Sequence, residues 1–205
     1  VKLSLFPTEH RGLALLLNVS SDVRECISAL SQSLGAATEE RVQLALDCER
    51  AENRSTDHHH ALLTHLRSSY VSPIPREDLY QFSLYLHDAT SHLAGAAKAL
   101  SHMPIDRLPR VVSDQLEVLD RQSELFADII RRLDNLGQLE LKWLDMLRLS
   151  KRMSRAHQVW LTELSSYQRV GSYARDLAFA DQLHEAMLCF RAIADHLGLI
   201  LVRES

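Results

Sequence analysis

Hydrophobic positions recur at three- and four-residue spacing along most of the chain. Between 75 and 101 they fall at Leu79, Phe82, Leu86, Ala89, Leu93, Ala97 and Leu100. That is one apolar stripe on an otherwise polar rod, the pattern of an amphipathic helix. The same reading predicts six long helices, at about 8–34, 38–70, 75–101, 107–135, 138–166 and 172–202. Gly35 is a stop for the first, and Thr38, followed by Glu39 and Glu40, an N-cap for the second. The segments 102–110, with two prolines, 134–138 and 168–173 are the later breaks.

The segment "SSYVSPIPREDLY" (68–80) explains itself first as a helix stop and start. Proline disfavours the α region for the residue before it and has no N–H to donate. Pro75 suits the first position of a new helix. Glu77 and Asp78 then lie in the first turn, against the positive end of the helix dipole.

The third and sixth helices repeat one another. "LHDATSHLAGAAKAL" begins at 86 and "LHEAMLCFRAIADHL" at 183, an offset of 97 residues. That offset carries Phe82 onto Phe179, Leu86 onto Leu183, His87 onto His184 and Leu100 onto Leu197. It also carries "SSY" at 68–70 onto 165–167, and His60 onto His157. Helices joined by short loops pack antiparallel, so two related three-helix units are expected. One stretch breaks the pattern. Residues 49–60, "ERAENRSTDHHH", contain a single apolar residue, Ala51. Either this part projects beyond the core, the commoner arrangement, or its polar groups are tucked inside and hydrogen-bonded.

Composition narrows the class. A chain of 205 residues suffices for one substantial domain or two small ones. Only 6 Gly and 5 Pro leave little turn chemistry for an all-β fold, which favours an all-α one. A net charge of −4 without a long basic block argues against nucleic acid as a partner. Cys26, Cys48 and Cys189 lack metal spacing and cannot all pair, which fits a reducing cytoplasm. No apolar run approaches the roughly 20 residues of a membrane span, and the first ten residues do not read as a secretory signal.

"SSYVSPIPREDLYQFSLYLHDATSHL" resembles the junction between helices two and three of PhoU-like proteins, in the branch encoded beside low-affinity inorganic phosphate (Pit) transporters. That family carries Thr-Pro-Phe-Asp-Arg-Glu-Asp-Ile followed by Leu-Asp-Asp. Pro73, Arg76, Glu77, Asp78, Leu86 and Asp88 keep the pattern, and Pro75 replaces the family's Asp. "LFPTE", "LPRVVSDQLEVL" and "ADHLGLILVRES" are also similar to family segments. The resemblance implies a single PhoU-like domain over 1–205, built as two quasi-equivalent three-helix bundles with halves at about 8–103 and 107–205. It implies a cytoplasmic, non-enzymatic accessory or regulator that contacts a membrane phosphate transporter, a Pit-type permease. Any peripheral membrane association would then run through that partner, and a homo-oligomer stays open. The alternative is a divergent, metal-free helical scaffold with no phosphate role.

PhoU-like proteins also carry Glu/Asp-x-x-x-Asp pairs on helices two, three, five and six, where spacing of four puts both carboxylates on one face. Mapped here, the pairs are Glu52 and Thr56, His87 and Ser91, Ser150 and Ser154, and His184 and Leu188. Only Glu52 is a carboxylate, too little charge for a multinuclear cluster. No metal and no cofactor is therefore expected. Asp57-x-x-His60 and Asp181-x-x-His184 each place a carboxylate and an imidazole on one face. Together with Glu52 and His87 they are the residual metal candidates, should they converge. His87, one step off the stripe, is expected to face solvent. No catalytic residue is assigned: there is no Gly-rich phosphate loop, no nucleophile setting, and no Glu-x-x-His complement of a di-metal oxidase.

Overall fold

The computed structural model describes residues 11–69, 72–103, 110–133, 135–166 and 170–203. It is all-α. Six helices run α1 (Arg11–Ser33), α2 (Thr38–Ser68), α3 (Arg76–Ser101), α4 (Arg110–Ile130), α5 (Glu140–Leu164) and α6 (Val170–Arg203), with a 3-10 turn at Leu136–Gln138. No strand occurs among the described residues. None of their helices is long and apolar enough to cross a membrane.

Helix termini differ from the sequence reading by a few residues, each for a local reason. Pro75 is the N-cap of α3 rather than its first residue. Its extended ψ of 139° lets its carbonyl accept from the N–H groups of Asp78 and Leu79 at 3.0 and 3.3 Å. Thr38 is already helical, and the cap is Ala37, which has no side chain to cap with. Helix α4 ends at Ile130, not 135, because tighter turn bonds such as Arg132 N–H to Ile129 carbonyl (2.9 Å) replace the α-helical ladder. The predicted residues 8–10 and 107–109 lie outside the described residues.

The apolar stripes meet in one continuous core. Helices α1, α2 and α3 all pack on one another and form a closed three-helix unit. In the second half α5 packs on both α4 and α6, but α4 and α6 barely meet, so that unit is more open. The halves join through α3 against α6 and α1 against α4. Antiparallel packing of α3 on α6 is visible in its side chains. Asp78 near the start of α3 is buried and accepts from His196 Nε2 (3.0 Å) and Arg203 near the end of α6. Farther along α3, His92 Nδ1 meets Gln182 Oε1 (3.1 Å) in the first half of α6. The acidic first turn of α3 is therefore more than a helix start: it fastens the end of α6.

Buried charge is tied off locally. Arg41 on α2 is only 2% exposed and reaches the end of α3. Its Nη1 donates to the carbonyls of Leu100 (3.3 Å) and Met103 (2.7 Å), and Nη2 to Thr38 Oγ1 (3.4 Å). A cation there satisfies carbonyls the helix cannot and complements its dipole. Asp22 on α1 is buried and accepts from His58 Nδ1 (2.7 Å) and Arg54 Nε (3.2 Å) on α2. Cys26 and Cys48 are buried neighbours, each Sγ near the other's carbonyl at 3.6 and 3.7 Å. Contact with Cys48 and burial push the Cys26 thiol far above its usual range, which removes it as a nucleophile.

Candidate functional site

The polar stretch 49–60 does not project beyond the core. On one face it follows the second alternative: Ser55 and His59 turn inward and are bonded, while Glu49, Arg50, Asn53, Asp57 and His60 stay exposed. Ser55 and His59 are buried on the same face of α2 as Cys48, Ala51 and Leu62. His59 Nδ1 meets Ser83 Oγ of α3 at 2.8 Å, and His87 Nδ1 of α3 meets Ser55 Oγ of α2 at 3.4 Å. The two imidazoles lie nearly parallel, with centroids 5.5 Å apart and planes 12° apart. His87 is therefore not a solvent-facing residue; it is half-buried and stacked inside the α2–α3 seam. The reason is rotational. The position beside the stripe of a helix flanked by neighbours on both sides turns toward one of them.

The second half holds a matching pair. His157 of α5 and His184 of α6 stack with centroids 3.9 Å and planes 7° apart. The Nδ1 atoms of both are buried and make no hydrogen bond. Helix α4 contributes to the same layer. Gln122 Nε2 bonds Ser150 Oγ (2.9 Å), and Asp128 pairs with Lys142, which together set the antiparallel register of α4 on α5. Extending that register by two turns brings Gln115 level with His157. Gln115 is fully buried and neither of its amide atoms has a partner.

Burial, then the charge of His87 and His60, holds His59 below the usual imidazole range, with Asp88 opposing. Burial and the neighbouring His184 do the same to His157, with Asp181 opposing. His59 and His157 are thus kept neutral near pH 7. Two imidazolium rings 3.9 Å apart would repel, and a proton on the buried Nδ1 of His157 would find no acceptor. The sign of the pH effect follows. Above about pH 6.5 His157 is neutral in the folded and unfolded chain, and its contribution is complete. Below that the unfolded chain takes up the proton first, so stability falls with pH until the depressed folded value is passed. Urea midpoints should drop from about pH 7 to about pH 5, and His157→Gln should flatten that dependence. A midpoint as steep in the variant as in the parent would remove His157 as the cause.

The residual metal candidates are scattered. His87 and His184 each sit in a pair, but with another histidine. His60 is exposed, its ring 6.1 Å from His59, and Asp57 and Asp181 are exposed. Glu52 is half-buried on a different wall. Among the described residues no three His, Cys, Asp or Glu side chains gather in a way that could hold a metal ion. The stacked rings also project their nitrogens in parallel planes, not toward one point. What the site offers is hydrogen bonding through Ser55 and Ser83 and stacked imidazole rings.

His59 was legible only as one of three consecutive histidines, and the repeat pointed to the wrong one. His59 to His87 spans 28 residues, whereas His157 to His184 spans 27. The α2–α3 segment is one residue longer, so α2 maps onto α5 at an offset of 98 while α3 maps onto α6 at 97. Gln115 carried no signal, because a lone glutamine in an amphipathic helix reads as surface.

Each half also opens a cleft at the same end. In the first half it lies between the start of α2 and the end of α3. It has about 420 Å³ and is lined by Val42, Leu46, Glu49, Glu52, Ala94 and Lys98. In the second it lies between α5 and α6, has about 360 Å³ and is lined by Trp143, Leu201 and Val202. Ala45 and Trp143 are equivalent at the 98-residue offset, so the indole occupies the space that Ala45 leaves open. Gly198 makes that possible: a Cβ there would come within 3.0 Å of the indole nitrogen, which donates to the Ala194 carbonyl at 2.9 Å. Val42 and Leu46 remain substantially exposed in the first cleft.

No protein-family model matches the chain, and no curated protein matches it.

Proposed function

We propose that this chain is a non-enzymatic accessory protein of inorganic phosphate transport that acts by contact with a membrane permease of the Pit type. The observation that carries the reading is the pairing of two related helical halves through α3 and α6, with Asp78 of the Arg76-Glu77-Asp78 motif fastening the end of α6. The residues that resemble the PhoU-like junction are the ones that join the halves here. The two clefts support it further. Val42 and Leu46 in one, Leu201 and Val202 in the other, form paired apolar surfaces at equivalent ends of the halves, suited to a protein partner. In this reading the protein works at the cytoplasmic face of the membrane and holds no metal.

One observation favours the rival, a helical scaffold without a phosphate role. Where the PhoU-like pattern requires a carboxylate on helix six, Leu188 stands, 43% exposed, and Ser150 on α5 is spent on Gln122. The test is deletion of the gene with measurement of phosphate uptake, together with pull-down of the tagged chain. Uptake should change, and a phosphate permease should be recovered. Val42→Asp with Leu46→Asp should abolish recovery while leaving the fold intact, since both side chains face solvent. Unchanged uptake with no permease recovered leaves only the scaffold reading.

A further inference from the structure

Apart from Lys142, which pairs with Asp128, helix α5 carries its cations on one line. Arg148, Lys151, Arg152 and Arg155 follow a spacing of three, one and three residues and are all exposed. At 3.6 residues per turn they occupy one outward sector, opposite the buried Met146, Ser150, Met153, His157, Trp160 and Leu164. Leu141 and Val159 lie in the same sector at either end, 75% and 55% exposed. The line from one to the other is about 27 Å long. Arg148 has Asp145 at 2.8 Å, while among the described residues Lys151, Arg152 and Arg155 form no ion pair.

The fold does not require this charge. At the 98-residue offset Lys151 corresponds to Asn53 and Arg155 to Asp57 on α2. Arg152 corresponds to Arg54, which Asp22 and Glu25 of α1 engage. The same helical surface in the first half is thus built with neutral, acidic and satisfied residues. The second half concentrates free positive charge on a chain whose net charge is −4.

We propose that this face of α5 docks directly on an anionic lipid bilayer, with the cations at the phosphates and Leu141 and Val159 seated between headgroups. A bilayer offers anionic groups and apolar depth along one plane, which is the combination on this stripe. Cytoplasmic loops of membrane proteins carry an excess of Lys and Arg, so they repel such a stripe. Nucleic acid would use the cations but not the aliphatic ends, and the acidic chain around the stripe opposes it. The inference stands apart from the phosphate-transport reading, since lipid binding is measured without any permease.

Co-sedimentation of the full chain with vesicles tests it. Vesicles of phosphatidylcholine alone should leave the chain in solution, and vesicles containing phosphatidylglycerol should carry it down. Binding should fade as salt rises from about 0.05 to about 0.5 M, where the Debye length shrinks below the spacing of the charges. The triple variant K151E/R152E/R155E should bind about a hundredfold more weakly. The control R67E/R131E/R175E makes the same change in net charge at exposed sites off the stripe. It should lose about threefold or less, because those charges act through screened distance. Leu141→Ser with Val159→Ser should weaken binding several-fold at every salt concentration. All these positions are solvent-exposed, and circular dichroism matching the parent is required of each variant. No binding to anionic vesicles would overturn the proposal, as would equal losses in the two triples. Capture by polyglutamate or duplex DNA, with vesicles left unbound, would assign the stripe to a different partner and equally overturn it.

Discussion

Phe82→Ala should cost about 4 kcal/mol of folding stability, the largest loss expected from any single truncation on α3. The side chain is fully buried. Its ring meets Phe126 of α4 and His196 of α6 edge-on, each with centroids 5.1 Å apart, at 61° and 88°. One residue of the first half therefore touches two helices of the second. Truncation removes the transfer energy of a large apolar group and leaves a cavity that three helices must close. It also forfeits aromatic contacts of about 1 kcal/mol each. It frees the ring of His196, whose Nε2 serves Asp78. Natural domains hold only about 5–15 kcal/mol in total, so the variant should sit close to unfolding at room temperature. Phe82→Leu keeps most of the volume and should lose about 1.5 kcal/mol. Urea denaturation of both variants is the measurement. A Phe82→Ala loss under about 1 kcal/mol would mean the halves are not packed through this ring.

Arg41→Ala should cost about 3 kcal/mol, unusual for a positively charged residue, because Arg41 is nearly inaccessible and its partners are main-chain carbonyls. Two effects add. The Leu100 and Met103 carbonyls lose charge-assisted donors, and the aliphatic stem leaves a void against the end of α3. Arg41→Met separates them: it restores packing but not donors, and should recover about half of the loss. Arg41→Lys should recover less than its charge suggests, since one ammonium cannot span Leu100, Met103 and Thr38 together. Hydrogen exchange gives a second readout. Amides in the last turn of α3 should lose protection in Arg41→Ala well before those in the middle of α1. Equal loss in both places would point to global destabilisation and against a role for Arg41 as the stop of α3.

Much of the fold was legible because helical periodicity is a property of neighbours in sequence. Leu79, Phe82, Leu86, Ala89, Leu93, Ala97 and Leu100 read as one stripe, and all seven are buried. Helix ends were read less well. Pro75 and Thr38 each shifted by one position, since a cap is defined by which N–H groups its carbonyl or side chain meets, and residue type only biases that. The overlong fourth helix ran past Ile130 because "RRLDNL" carries no proline or glycine to mark where the ladder tightens.

The candidate site was legible in part. His87 and His184 read as matching positions 97 residues apart, and each lies in an inter-helix seam. Their partners were misjudged. In "DHHH" successive side chains point about 100° apart around the helix, so one of three faces α3, one faces α1 and one faces solvent. Packing assigns these roles: His59 meets Ser83, His58 meets Asp22, and His60 is exposed. An offset read along the sequence could not see the extra residue between α2 and α3 that moves the equivalent of His157 from His60 to His59.

The sequence by itself determined that the chain is six amphipathic helices, that helices three and six carry the same stripe at an offset of 97 residues, and that the positions 52/56, 87/91, 150/154 and 184/188 hold a single carboxylate, Glu52. Each of these depends on residue type and spacing within one helix, where period and chemistry suffice. Only the tertiary structure decided that Asp78 fastens the end of α6, that Arg41 closes α3, that two histidine pairs stack inside the seams, and that Gln115 is buried without a partner. Those facts join residues between 27 and 125 positions apart, where the relative rotation and sliding of packed helices, and not local pattern, set which side chains meet.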